Sequence, residues 1–488
     1  MKKNIITAVI LCLITSLTGC DDFLDVVPRD KVSSDIVFNS DKSTEVVLNG
    51  VYDHMTYAAE GFFIYAPSLG IHNFIVSGDW MGQDVIPKSS ITQWQADDYS
   101  FTSRGMEKDR PRFFWSYCYS HINVLNDLLA RIPSMQGSPS AKKQIEGEAR
   151  GLRAYNYFLL TQWFQQTYLI DPQAPGVPLY LESAIDPKPR ASMEENFKAI
   201  IQDLQWAIQN MSEERRGGSK YVIGKDVAKG LLAKAYLEVG QYAEAKVLAE
   251  ELASKYPLMT EEEYKKGFSD VDVSECIWGL PVSTKNMNAN YCLQTIWSHP
   301  RKHKRWSNNF VFLNDLFVEL FSESDMRKGL ISLNPVAGDA ERYPERKYVS
   351  SKIMDPDDAQ KLPDVLLMRS SEMILIQAEC AARMNQSPEA QTILFRLQKH
   401  RDPNAIISTA TGEELLDEIL IERRKELYGE GFAIGDIKRM RKPLIRKGLH
   451  TIKGVGATGV LYPADSHEFF LQIPQDEIQT NLEIIQNP

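Results

Sequence analysis

Apolar residues recur at three- and four-residue steps over much of this chain, the period of helices with one buried stripe. The clearest case runs from Asp226 to Tyr256. Leu231, Leu232, Ala235, Tyr236 and Val239 share a face, Gly240 breaks the run, and Tyr242, Ala245, Leu248, Ala249 and Leu252 resume it. Small residues at Ala235 and Ala245 let two helices approach, so the segment predicts a helical hairpin resembling a tetratricopeptide unit. Such units are about 34 residues long and need stacked neighbours to cover their faces. Ser371 to Arg401 has the same layout, with Ile374, Leu375, Ala378, Ala381 and Ala382, a turn at Asn385-Gln386-Ser387-Pro388, then Ala390, Ile393, Leu394 and Leu397. Further amphipathic helices are predicted over Ser43 to Tyr57, Trp115 to Ile132, Glu146 to Phe164 and Met193 to Met211. In the third of these, Leu152, Tyr155, Phe158 and Leu159 form a core stripe.

The predicted fold class is therefore mainly α, a tetratricopeptide-like helix-pair scaffold over about 41–60, 107–256 and 363–432. Two irregular loop excursions, about 61–106 and 268–362, interrupt it. They are rich in Gly, Pro, Asn, Ser and aromatics, with only short strand-like runs. Long loops on a rigid frame are where binding surfaces sit.

The chain begins differently. Lys2 and Lys3 precede an apolar run from Ile5 to Leu17, which ends in Leu17-Thr18-Gly19-Cys20. A helix of about a dozen residues spans about 20 Å, short of the ~30 Å hydrocarbon core, so the run reads as a signal peptide over residues 1–19. Small residues before a cysteine resemble a bacterial lipobox. That makes Cys20 the acylated mature N-terminus and 20–40 a lipidated segment. Each buried acyl methylene contributes about 0.8 kcal/mol, enough for two or more chains to hold a globular body on a membrane.

Charge narrows the function further. Removing the leader takes away Lys2 and Lys3 and moves the net charge from −10 to −12, so phosphate repulsion argues against nucleic acid as a partner. Beyond Cys12 and Cys20, Cys118, Cys276, Cys292 and Cys380 are far apart and lack metal-ligand spacing. No metal site or cofactor is expected.

Several strings together resemble the SusD/RagB family of surface nutrient-binding lipoproteins. They are Cys20-Asp21-Asp22-Phe23-Leu24-Asp25; Trp115, Tyr119, Ile122 and Asn126; and Glu148-Ala149-Arg150 with Leu152-Arg153-Ala154-Tyr155 and Tyr157-Phe158. Gly176-Val177-Pro178-Leu179 follows, then Glu422-Arg423-Arg424-Lys425-Glu426-Leu427 with Glu430-Gly431, and finally Ile473-Pro474-Gln475-Asp476-Glu477-Ile478 before Gln486-Asn487-Pro488. One departure is Phe432-Ala433-Ile434-Gly435-Asp436, thinner than the bulky aromatic and Arg residues usual in the family. The resemblance implies a SusD-like α-helical domain over 41–488, non-catalytic, lipid-anchored at the outer membrane and exposed at the cell surface. It implies capture of an oligosaccharide or polysaccharide and delivery to a SusC-like TonB-dependent transporter. It also implies that the two excursions meet on one face. Arg150, Arg153, Glu422, Arg423 and Arg424 read as paired structural charges of the scaffold.

Carbohydrate recognition needs flat aromatic faces for a pyranose, with amides and carboxylates for its hydroxyls. The excursions supply both. Asp79, Trp80 and Trp94 are the candidate ligand contacts of the first; Asn288, Tyr291, Trp297, Arg301 and Trp306 are those of the second. The run Arg301-Lys302-His303-Lys304-Arg305 is unusual in so acidic a chain, and its guanidinium forks suit an anionic sugar, although a solvated or scaffold-paired loop would look the same. Gly454-Val455-Gly456-Ala457-Thr458-Gly459 spells a dinucleotide fingerprint, but Pro463 soon after spoils the helix it requires. Two alternatives stay open at this point: a peptide-binding relative of the same family, and a helical surface glycoside hydrolase.

Overall fold

The computed structural model describes residues 40–56, 69–87, 93–183, 186–282, 311–333, 348–352, 363–451 and 461–488. Cys20, the 301–305 basic run and the 454–459 glycine string lie outside the described residues.

The architecture is mainly helical. The first half contains α1 (Asp41–Met55), α2 (Ile71–Trp80), α3 (Gln93–Ser100), α4 (Asp109–Arg131), α5 (Pro139–Phe164), α6 (Met193–Asn210), α7 (Lys225–Val239) and α8 (Tyr242–Lys255). After the short α9 (Glu261–Lys265) and α10 (Asp315–Val318), the frame resumes with α11 (Ser370–Arg383), α12 (Ser387–Arg401), α13 (Gly412–Leu427) and α14 (Ala433–Arg439). The short α15 (Gln475–Thr480) lies near the C-terminus. The starts are written in the sequence. Ser192 and Glu195 form a reciprocal capping box at α6, and Ser138 caps α5 just ahead of Pro139. Gly240 ends α7 in the left-handed conformation (φ 81°), the turn the hairpin reading requires.

The frame helices pack in a continuous series: α4 on α5, α5 on α6, α6 on α7, α7 on α8, α8 on α11, and α11 on both α12 and α13. The two hairpins read from the sequence are thus neighbours in space, although more than a hundred residues separate them in the chain. Ala235, Ala245 and Ala249 are fully buried between α7 and α8, and the stripe Leu152, Tyr155, Phe158 and Leu159 is buried on α5. Arg150 and Arg153 of α5 both reach Asp203 of α6, at 2.9 and 2.8 Å, and Arg423 of α13 pairs with Asp436 of α14 at 2.8 Å. These are structural pairs, as the sequence implies.

Short strands tie the excursions to this frame. β1 (Val85–Pro87), β3 (Val311–Leu313), β5 (Tyr348–Ser350) and β4 (Ile331–Leu333) form one antiparallel sheet in that order. β1 comes from the first excursion and the other three from the second, with Val85 opposite Leu313 and Pro87 opposite Val311. β2 (Cys276–Leu280) pairs antiparallel with β6 (Val365–Arg369), closing the second excursion at its neck. β7 (Leu444–Ile445) and β8 (Leu461–Tyr462) form a third, small pair. Among the described residues, no helix is long and apolar enough to cross a membrane.

One expectation is revised. The first excursion is not merely irregular, because it contains α2, a helix buried at every position from Ile71 to Trp80. The thinner stretch 432–436 also has a structural consequence. A Cβ at Gly435 would meet no atom within 4 Å, and a hollow of about 110 Å³ lies beside it, walled by frame helices.

Candidate functional site

Of the candidate ligand contacts, Asp79 and Trp80 are described in full. Trp94 belongs to α3, and its side chain lies outside the described residues, as do Asn288, Tyr291, Trp297, Arg301 and Trp306. Trp80 is 1% exposed and closes the C-terminal end of α2. A ring so deep in the core has no face left for a sugar, so its role is corrected from ligand contact to core anchor. Asp79 is likewise buried and accepts a hydrogen bond from the Gly431 N–H at 3.0 Å. It joins the first excursion to the elbow between α13 and α14.

Glycines make that junction possible. A Cβ on Gly78 would sit 2.3 Å from the Gly431 carbonyl oxygen, and one on Gly431 would sit 2.7 Å from Ile75 Cα. Two backbones therefore touch with nothing between them, and Gly431 adopts φ 87°, which suits glycine.

Burial raises the Asp79 carboxyl to about 7, against the Gly431 N–H, the Lys352 charge and the Ala433 N–H, which lower it. The native state thus holds a proton that the unfolded chain releases in the ordinary carboxylate range. The stability that Asp79 contributes falls as pH rises from about 4 to about 7 and levels off above that. Asp79→Asn, which keeps the accepting oxygen, is expected to raise the melting temperature at pH 8 and to leave it nearly unchanged at pH 4. Thermal unfolding at the two pH values checks this.

An arginine clamp organises the rest of the first excursion. Arg446 donates to the carbonyls of Gly82 (3.0 Å), Tyr99 (2.5 Å) and Trp80 (3.1 Å), and its guanidinium lies 3.9 Å from the centre of the Tyr99 ring. His450 bridges the Tyr99 hydroxyl (2.7 Å) and the Gln83 carbonyl (2.8 Å), and burial pushes its imidazole down to about 4, so it is neutral at physiological pH. Asp84, beside the candidate cluster, is held by Arg424 of α13 through a two-point contact at 3.0 and 2.5 Å. Arg110 holds Asp98 in the same manner, at 3.1 and 2.6 Å. These polar residues of the excursion are thus spent on holding it in shape.

The second excursion is fixed by a buried ionic cluster. Glu426 of α13 accepts from Arg327 (3.0 Å), Arg369 (2.9 Å) and Arg401 (2.9 Å), all essentially unexposed. Arg369 also meets Glu275 (2.7 Å) and Glu430 (2.8 Å), Arg401 meets Glu275, and Arg327 meets Asp325 (2.8 Å) and Glu422 (2.6 Å). Lys352 donates to Glu430 at 2.6 Å and Lys425 to Asp325 at 2.9 Å. Burial pushes Glu426 up, but Arg401, Arg369 and Arg327 outweigh it and hold the carboxyl well below its usual range. Arg327, Lys352 and Asp325 come from the excursion, while Arg401, Glu422 and Glu426 come from the frame. Nothing in the sequence marks this cluster beyond the Glu422–Glu426 string, because its members are isolated residues scattered across the second half of the chain.

The arrangement is a rigid holder that carries two loop systems side by side. A family described as starch-binding and associating with the outer membrane matches residues 22–237, and the SusD family matches residues 260–488. A SusD-like carbohydrate-binding protein from Bacteroides vulgatus is 26% identical, with a TM-score of 0.81 over 92% of this chain and 98% of its own. A SusD-like protein from Formosa agariphila is 22% identical over 94% of this chain and 96% of its own. The surface glycan-binding protein A of Bacteroides thetaiotaomicron, solved with laminarihexaose, shares the fold at 17% identity with a TM-score of 0.70, over 92% of this chain and 99% of its own. The chain belongs to the SusD/RagB family.

Proposed function

We propose that this protein is a non-catalytic, surface-exposed lipoprotein, anchored through acylated Cys20, that captures oligosaccharides and delivers them to a SusC-like TonB-dependent transporter. The observation that carries the reading is the joining of the two excursions, which β1 and β3 stitch together while Arg446, Asp84–Arg424 and the Glu426 cluster lock them to the frame. Loops whose flanking segments are already fixed lose less entropy on binding, so a few aromatic faces give useful affinity. The laminarihexaose complex of a protein with the same fold supports a glycan as ligand. The residues proposed to meet it are Asn288, Tyr291, Trp297, Arg301 and Trp306, with Trp94 from the first excursion. The lipid adds two-dimensional confinement, which raises the effective concentration near the transporter and makes modest affinity sufficient.

The test is the double variant Trp297→Ala/Trp306→Ala. Losing two stacking faces is expected to weaken binding of whichever oligosaccharide a glycan array identifies by about tenfold or more, with the melting temperature unchanged. Unaltered affinity would remove the second excursion from the reading.

A further inference from the structure

We propose a second carbohydrate subsite on the frame itself, in a hollow on the side of α4 away from α2. Phe114 and Tyr117 of α4 pack on Phe74 of α2, with ring centres 3.8 and 5.1 Å apart. Trp115, Tyr119 and Asn126 of the same helix line a separate hollow of about 270 Å³, completed by Pro178, Tyr180 and Glu477 with Asn123 at its edge. That volume is small for a drug-sized site, which suits a single sugar ring.

Its chemistry is that of pyranose recognition. Three aromatic rings form the walls: Trp115 and Tyr119 are tilted at 47° with centres 4.8 Å apart, and Tyr119 and Tyr180 stand nearly perpendicular at 6.0 Å. Each wall is already pinned. The Tyr119 hydroxyl donates to the Pro178 carbonyl at 2.7 Å, and Trp115 Nε1 donates to Glu477 Oε2 at 3.3 Å. The Tyr180 hydroxyl accepts from the Lys188 N–H at 3.1 Å, while the Lys188 ammonium lies 5.2 Å from the centre of the ring. Asn126 has both amide hydrogens committed to the Tyr180 and Glu182 carbonyls, and its oxygen accepts from Arg153. It is a positioning residue.

The polar capacity left over sits at the rim. The Tyr180 hydroxyl keeps its proton to donate, the exposed Asn123 amide both donates and accepts, and the Glu477 carboxylate keeps unused lone pairs. Sugar hydroxyls donate and accept in this way, and their C–H faces lie against aromatic rings. Among the described residues, the charged side chain lining the hollow is Glu477, with the Lys188 ammonium against the Tyr180 ring, so the charges offset each other and the site favours a neutral ring over an anionic one. A second grip of this kind would keep a long polysaccharide on the protein while the excursions release one stretch of it, since linked weak contacts multiply in avidity. The inference rests on the hollow's own residues and stands or falls apart from the excursions.

The test uses saturation-transfer NMR on the full chain in nanodiscs. The probes are the methyl glycosides of β-glucose, β-galactose, α-mannose and β-xylose at millimolar concentration. At least one is expected to receive saturation from the wild type and to keep receiving it from Trp297→Ala/Trp306→Ala. The further variants are made in the Trp297→Ala/Trp306→Ala background, where Asn123→Trp, at an exposed helix position, plugs the hollow and is expected to abolish the remaining signal. Tyr180→Ala is expected to weaken binding about five- to tenfold through loss of one wall. Silence from all four glycosides, a signal that disappears in Trp297→Ala/Trp306→Ala, or one that survives the addition of Asn123→Trp to that variant overturns the proposal.

Discussion

Glu426→Ala is expected to destabilise the protein by about 3–5 kcal/mol, read as a large fall in the midpoint of urea unfolding, because breaking a buried ion cluster strands its partners. Arg327, Arg369 and Arg401 would lose their common carboxylate inside a buried site. Glu426→Gln should cost less, since the amide oxygen still accepts, but it leaves one positive charge unbalanced. The pH dependence has a definite sign. The folded pKa of Glu426 lies well below its ordinary value, so its contribution is complete above the ordinary carboxylate range and is lost as pH falls through the depressed folded value. The gap between wild type and Glu426→Gln should therefore narrow in acid. The cluster joins the second excursion to α12 and α13, so the variant should also weaken glycan binding without touching any ligand contact. An unfolding midpoint unchanged from wild type would remove the cluster from the account.

Gly78→Val should be nearly as damaging, by about 1–3 kcal/mol or somewhat more, because the added carbons have only backbone to displace. The nearest atom is the Gly431 carbonyl oxygen, which belongs to an elbow already held by Asp79. Relief requires α2 to move away from α14, taking the Arg446 clamp with it. Hydrogen exchange should quicken over Ile71–Trp80 and over β1, while α7 and α8 keep their protection. Uniform loss across the whole chain, or no loss, would contradict a local hinge at this glycine contact.

What could be read in the sequence follows from where each element is buried. The hairpins at 226–256 and 371–401 were legible because α8 and α12 keep an exposed face opposite a buried stripe, while α7 and α11, buried almost throughout, carry long runs of apolar and small residues at helical spacing. Gly240 and the turn at Asn385, with φ 60°, punctuate them as their chemistry demands. Helix α2 was not legible. It is buried on all sides and carries His72, Asn73, Ser77 and Asp79 inward, so no stripe appears and Gly70 and Gly78 read as loop. Trp80 follows from the same cause: without a visible helical face a tryptophan resembles a binding platform, whereas this one is buried at the end of α2. The ionic cluster is silent because its members come together only when the second excursion folds back through β2 and β6. The Trp115–Tyr119–Tyr180 hollow escaped for another reason. Two of its walls lie in a string that reads as scaffold, and the third comes from a loop more than fifty residues away.

The central claim is that this helical frame holds a glycan without altering it. Its most direct test is to incubate the full lipoprotein with an array of oligosaccharides and peptides, then analyse every retained molecule by mass spectrometry. The account predicts that oligosaccharides are retained at their original length, with no new reducing ends. Retention of peptides alone, or shortened sugars whose formation one carboxylate variant abolishes, would contradict it.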